Sequence, residues 1–117
     1  MATELSKDLL DQALMVSGHH AIDTGAYTRE MVGRLDGEQR RCLGLLEAID
    51  YDCFSYSAQD KGKDSRGMYC LNLGQHTIEE VEQYLIEHKH IISSLPDLPS
   101  TLGTVLGTFN FLNRGAE

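Results

Sequence analysis

The strongest constraint on the fold is an amphipathic pattern in residues 77–95. Its inward positions recur at spacings of 3, 4, 3, 4 and 3, and only an α-helix places residues so spaced on one face. These positions hold Ile78, Val81, Leu85, His88, Ile92 and Leu95. Thr77 and Glu80 match a capping box, and Pro96 cannot continue a helix. We predict one helix over this stretch, with His88 as a buried polar residue that fixes its register.

The first half of the chain carries the same kind of pattern. We predict a helix from a Thr3 cap to Ser17, a short helix that starts near Thr24, and a third helix with Asp36 as its N-cap. Gly18 ends the first of these helices. Their inward side chains, in chain order, are Leu5, Leu9, Ala13 and Val16, then Tyr27, Met31 and Leu35, then Cys42, Leu45, Leu46, Ile49 and Cys53.

Residues 52–73 differ in composition from the helical segments. Aromatic, Cys and small residues alternate over 52–57 and 67–73, on either side of a polar stretch that contains Gly62. This pattern favours a β-hairpin. The alternative is that the third helix continues to about Ser57 and a disordered loop follows, because periodicity over such short runs does not distinguish the two.

The last segment has two interpretations. Leu102, Val105, Phe109 and Leu112 repeat at helical spacing, whereas the neighbouring threonines and glycines favour a strand or an irregular tail. The 117 residues match the size of one domain. We therefore predict a mainly α fold over residues 1–117, a small helical bundle of about five helices with a β-hairpin or ordered loop inserted around residues 52–73.

The charge of the chain limits its partners. There are 10 Lys and Arg against 18 Asp and Glu, a formal net charge of -8. Such a charge repels phosphate backbones and anionic lipid surfaces, so we expect no direct binding to nucleic acid and none to membranes. Glu4, Lys7 and Asp8 stand where a secretory signal has its apolar core, so we expect a cytoplasmic protein.

The three cysteines predict buried thiols in a reducing compartment. Cys42, Cys53 and Cys70 are odd in number and embedded in apolar sequence, which is not typical of a disulfide framework. The alternative is that Cys53 pairs with Cys70 across the hairpin. No nucleophile motif surrounds any of them and no phosphate-binding glycine motif occurs, so we predict no enzyme and no cofactor.

Two small clusters of histidine and carboxylate define a metal hypothesis. His19, His20 and Asp23 follow the first helix, while His76 and Glu80 lie four residues apart at the start of the helix at Thr77. Imidazole and carboxylate are ligands of divalent metals, and the two groups could form one site if the helix ends met. The sequence thus predicts, as the alternative function, a metal or ligand sensor or a small metal-dependent enzyme.

The remaining signals favour protein binding. Glu79 and Glu82 give the helix at Thr77 an acidic face, and Tyr56, Met68 and Tyr69 belong to residue types enriched at interfaces. We predict a small acidic binding module, an adaptor, inhibitor or regulatory subunit such as an immunity or anti-defence protein. Its partner is another protein with a basic surface, and the heptad-like pattern also fits a homodimer.

Overall fold

The computed structural model describes residues 3–23, 25, 27–50, 53–55, 62–63 and 69–95. The described chain is mainly helical, as predicted. The helices are α1 (Lys7–Val16), α2 (His19–Asp23), α3 (Arg29–Gly33), α4 (Gly37–Asp50), α5 (Ile78–Glu87) and α6 (Lys89–Ile92). The strands are β1 (Phe54–Ser55), β2 (Gly62–Lys63) and β3 (Tyr69–Asn72).

Side-chain caps explain where most of these helices begin. The capping box predicted at Thr77 and Glu80 is confirmed, since each side chain accepts from the other residue's backbone N–H. Asp36 caps α4 in the same reciprocal manner with Gln39. A cap satisfies N–H groups of the first turn that have no partner inside the helix.

Two predictions for the N-terminal region were wrong. The cap of α1 is Ser6, whose hydroxyl accepts from the Leu9 N–H, and not Thr3. The short helix predicted from Thr24 is replaced by two separate helices, with Thr28 as the cap of α3. Gly18 does end α1, with a φ of 85° that favours glycine.

The core lies between α1, α4 and α5, with β3 and α6 also packed on α4. The largest fully buried side chains are Leu9, Leu43, Leu45, Leu46, Leu71, Leu73, Leu85, Ile92, Val81, Cys42 and Cys53. Gly44 lies at the contact of α4 with α1. A Cβ at this position would come within 2.1 Å of the Ala13 carbonyl oxygen, so the two helices approach as closely as they do because residue 44 has no side chain.

The predicted long helix divides at His88. This residue has φ -111° and ψ 20°, which ends α5 and precedes α6. Its Nδ1–H donates to the Tyr84 carbonyl at 2.7 Å, and its ring stacks on Tyr84 with centroids 4.0 Å apart. His88 is half-buried, so the prediction of a buried residue within one continuous helix was wrong. Ile92 and Leu95 nevertheless stay in the core beyond the break.

The strands form one three-stranded sheet in the order β1-β3-β2. Within the described residues the antiparallel hairpin is made by β2 and β3, with Gly62 opposite Cys70. The segment predicted as the first hairpin strand contains β1, which instead pairs parallel with β3, Phe54 opposite Leu71 and Ser55 opposite Asn72. The sequence interpretation placed residues 62–63 in a loop. In the structure they form β2, which pairs antiparallel with one side of β3, so β1 pairs with the other side.

The Gln12 side chain joins α1 to this sheet. It accepts from the Asn72 N–H at 2.8 Å and donates to the Asn72 carbonyl at 3.4 Å.

Among the helices of the described ranges, none has the length and apolar composition needed to cross a membrane. Tyr56, Met68 and the segment containing residues 102–112 lie outside the described residues.

Candidate functional site

The candidate site is the solvent-facing side of α5. Its opposite side is fixed in the core by Val81, Tyr84 and Leu85, which are all buried. The capping box holds the first turn, and each end of α5 is bonded to the N-terminal segment. A helix held in this way presents its outer side chains at defined positions.

The N-terminal segment runs along α5 from its last residue to the residue before its cap. The Thr3 N–H and hydroxyl donate to the two carboxylate oxygens of Glu87, at 2.7 and 2.9 Å. The Ser6 N–H donates to Nε2 of His76 at 2.9 Å. Leu5, between these contacts, is buried in the core. We call residues 3–6 the N-terminal strap.

Two of the four glutamates of α5 are used inside the molecule. Glu80 accepts in the capping box and from His76 Nδ1 at 3.1 Å, and these hydrogen bonds, the His76 bond first, lower the pKa of its carboxyl group. Glu87 accepts from Gln83 and Thr3, which likewise lower its pKa. Both carboxylates are held in place by these bonds and stabilise the fold.

Glu79 and Glu82 are the other two glutamates of α5. Glu79 is exposed and Glu82 is partly exposed. They lie three residues apart, so both project from neighbouring parts of one helix face. Among the described residues, neither carboxylate takes part in a hydrogen bond or a salt bridge. We call this pair the α5 acidic face.

His76, Ser6 and Glu80 have the residue types of a catalytic triad but not its geometry. His76 and Ser6 line a cavity of about 250 Å³ together with Asp8 and Asn72, and Glu80 bonds Nδ1 of His76. Nε2 of His76 accepts from the Ser6 backbone N–H, while the Ser6 hydroxyl accepts from Leu9 N–H as the cap of α1. The imidazole therefore does not bond the hydroxyl it would need to deprotonate.

The residues of the metal hypothesis fall in two places. His19 and Asp23 line a cavity of about 200 Å³ with Ile22 and Arg29, and Nδ1–H of His19 donates to the Val16 carbonyl at 2.8 Å. His20 lies beside them on α2. Both ring nitrogens of His76 are engaged, by Glu80 and by the strap.

A search of the described residues finds no group of three or more His, Cys, Asp or Glu side chains that could hold a metal ion. The residues of α2 and those at the start of α5 are therefore not brought together as one preformed site. The metal hypothesis stays a prediction without geometric support from this part of the chain.

The three cysteines are buried and none forms a disulfide. Burial is the main cause that raises the pKa of the Cys42 thiol to about 12, and the charges of Glu38 and Asp36 add to it. Because the thiolate is the nucleophilic form, Cys42 is a poor nucleophile near neutral pH.

Glu47 is a structural residue that the sequence interpretation missed. It is 3% exposed and lies on α4 within a run of buried residues. Its carboxylate accepts from the Gly18 N–H at 2.7 Å and from the Ala21 N–H at 2.8 Å. A single acid within the apolar run Leu43–Ala48 was the available signal, because a buried charge needs partners.

Comparisons with known proteins add no functional assignment. A scan against protein-family models, a search of curated proteins and a search of solved structures each return no match.

Proposed function

We propose that this chain is a small acidic protein-binding module, an adaptor, inhibitor or regulatory subunit, that docks on a basic surface of a partner protein through the α5 acidic face. The observation that carries the proposal is the different use of the four glutamates on α5. Glu80 and Glu87 are bonded internally, whereas Glu79 and Glu82 point outward with no bonding partner in the described residues.

The local charge supports this assignment. Residues 67–88 contain four glutamates and no Lys or Arg, so no basic side chain in this stretch neutralises the helix. Charged groups of one sign on a fixed surface attract a partner of opposite sign and raise the rate of association. Immunity and anti-defence proteins are examples of acidic modules of the proposed kind.

Of the aromatic part of the predicted surface, the structure describes the backbone of Tyr69. Tyr69 belongs to β3, which follows directly from the segment containing Met68. Aromatic and Met side chains supply the apolar centre of many interfaces, while charges at the rim govern orientation and association rate. We propose Tyr56, Met68 and Tyr69 as the apolar contribution to the same binding surface.

The first experiment is a capture of host proteins on three forms of the full chain at low and high salt. These are the wild type, the double variant Glu79→Lys/Glu82→Lys, and Glu38→Lys. Glu38 is the matched control, because it is an exposed glutamate at the second residue of α4, as Glu79 is at the second residue of α5. Reversal of the charge at Glu38 and reversal at Glu79 therefore cost a similar amount of stability against the dipole of each helix.

We expect a partner that the wild type and Glu38→Lys retain and the double variant loses. With that partner purified, the double variant should associate roughly tenfold more slowly at low salt, and the difference should shrink as salt screens the charges. An equal loss at all salt concentrations, or an equal loss in Glu38→Lys, would contradict the acidic face. Retention of only further copies of this chain would replace the proposal with self-association, which sedimentation would then measure.

A further inference from the structure

The pairing of β1 with β3 brings two cysteines to neighbouring positions, since Cys70 belongs to β3 and Cys53 directly precedes β1. β1 and β3 run parallel with Phe54 opposite Leu71 and Ser55 opposite Asn72. One residue earlier in both strands, the same register places Cys53 opposite Cys70. The Leu71 N–H donates to the Cys53 carbonyl at 3.0 Å, so the Cys53 backbone is hydrogen-bonded to β3. Residues directly opposite in neighbouring parallel strands project from the same face, so both thiols lie on one side of the sheet.

The surroundings favour contact between these thiols. Cys53 is 0% exposed and Cys70 is 5% exposed. On its other side Cys70 faces Gly62 of β2, which has no side chain. Cys53 therefore supplies the neighbouring side chain of Cys70 within the sheet.

The backbone spacing is suitable for a disulfide. Neighbouring strands lie about 4.8 Å apart, and disulfides join Cα atoms about 4.4 to 6.8 Å apart with Cβ atoms near 3.8 Å. Bond formation thus needs the two Cβ atoms to approach by about 1 Å from the strand spacing. β1 is a two-residue edge strand, paired with β3 alone in the described sheet, so it can make this approach without displacing a second strand.

We propose that Cys53 and Cys70 form a redox-active pair that closes the chain between residues 53 and 70 with an intramolecular disulfide. The oxidant is a small-molecule disulfide of the glutathione class. The Cys70 thiolate, the more exposed of the two, attacks the oxidant, forms a mixed disulfide and releases one glutathione thiolate. The Cys53 thiolate attacks the Cys70 sulfur and releases the second, so two protein thiols are oxidised while one glutathione disulfide becomes two glutathione thiols.

Cys42 provides an internal comparison. It lies on α4, outside the register that places Cys53 opposite Cys70, so we expect it to stay a thiol under the same conditions. The disulfide encloses Tyr56 and Met68 in its loop, so oxidation fixes the two ends of the segment proposed for the apolar contact. This inference depends on the sheet register and not on the α5 acidic face.

The experiment uses the folded full chain in a series of reduced-to-oxidised glutathione ratios, followed by alkylation under denaturing conditions and mass mapping. We expect a peptide pair joined through Cys53 and Cys70 with Cys42 alkylated, and an increase in melting temperature upon oxidation because the loop restricts the unfolded chain. Cys42→Ala should keep both results. Cys53→Ala and Cys70→Ala should lose the cross-link and the increase in melting temperature.

Other outcomes of this experiment would overturn the proposal. These are a disulfide that involves Cys42, glutathione adducts that never resolve, and cross-linking only after denaturation. The mapping is done on the wild-type protein, so a Cys→Ala variant that fails to fold does not remove the test. A wild-type chain whose three thiols all stay alkylatable at the most oxidising ratio would also refute it.

Discussion

Replacement of Gly44 by alanine tests the packing of α1 on α4. The new Cβ would lie 2.1 Å from the Ala13 carbonyl oxygen, 2.8 Å from its carbonyl carbon and 3.0 Å from its Cα. Ordinary contact begins near 3.4 Å, so the two backbones must separate by about 1.3 Å. Since the obstructing atoms are backbone, no side-chain rotation relieves the contact.

The magnitude follows from two opposing effects. Alanine is favoured over glycine inside a helix by about 1 kcal/mol. Overpacking of a well-filled core costs roughly 1 to 3 kcal/mol, and occasionally more. A forced separation of two buried helices belongs at the upper end of that range, so we expect Gly44→Ala to lower the free energy of unfolding by about 2 kcal/mol or more. In a domain of this size that corresponds to a decrease in melting temperature of roughly 10 °C.

The assay is denaturant unfolding followed by far-UV circular dichroism, with thermal melting as a second measure. Gly33→Ala is the matched control, because Gly33 is also helical and nothing lies within 4 Å of its added Cβ; its stability should stay equal or rise slightly. Adding Ala13→Gly to Gly44→Ala should not restore stability, since the carbonyl remains. A Gly44→Ala protein as stable as the wild type would refute the close approach of the helices.

Three further outcomes follow from the structure. Glu47→Gln should lower the free energy of unfolding by about 2 kcal/mol, because the Gly18 and Ala21 N–H groups donate to different carboxylate oxygens and an amide nitrogen cannot replace either oxygen as an acceptor; denaturant unfolding measures it, and a neutral result would contradict the contact. The bonds from Thr3 and Gln83 lower the pKa of Glu87 below 4.5, so its stabilisation is present above pH 4.5 and is lost as the pH falls through the lowered value. Glu87→Gln should therefore be less stable than the wild type at neutral pH, with a difference that shrinks in acid; a constant difference would contradict this account. Addition of a chelator should leave the melting temperature of the protein unchanged, whereas stoichiometric bound metal in the purified protein would support the metal hypothesis.

The local signals in the sequence were the reliable ones. The capping box at Thr77 and the Asp36 cap of α4 both involve residues three apart, and both are confirmed. Most inward positions of α4 and α5 were also predicted correctly, because helical periodicity is a local property. Cys53, predicted as the last inward residue of the third helix, instead lies beyond the end of α4 at Asp50. These two helices account for much of the core.

The failures come from contacts between residues distant in the chain. Threonine is a residue type that often caps helices, but the N–H and the hydroxyl of Thr3 both donate to Glu87. Ser6 caps α1 instead. The pairing of β1 with β3 depends on where residues 62–63 lie, and no local pattern specifies that. His88 fits the heptad spacing, but its ring bonds the Tyr84 carbonyl and the helix ends there.

The contrast between local patterns and contacts of distant residues also limits what the net charge says about function. A count of acids on α5 assigns four negative charges to one surface, but Glu80 and Glu87 are bonded within the fold and serve its stability. The capping box distinguishes Glu80 already in the sequence, whereas the bonds of Glu87 to Thr3 are contacts that only the structure shows. The proposed docking therefore depends on two carboxylates. Reversal of Glu79 and Glu82 should affect binding and cost only a small loss of stability against the helix dipole, of the kind that Glu38→Lys also shows, whereas changes at Glu80 or Glu87 should affect stability first. A protein in which all four substitutions weakened binding equally at unchanged stability would show that the whole helix is the charged surface.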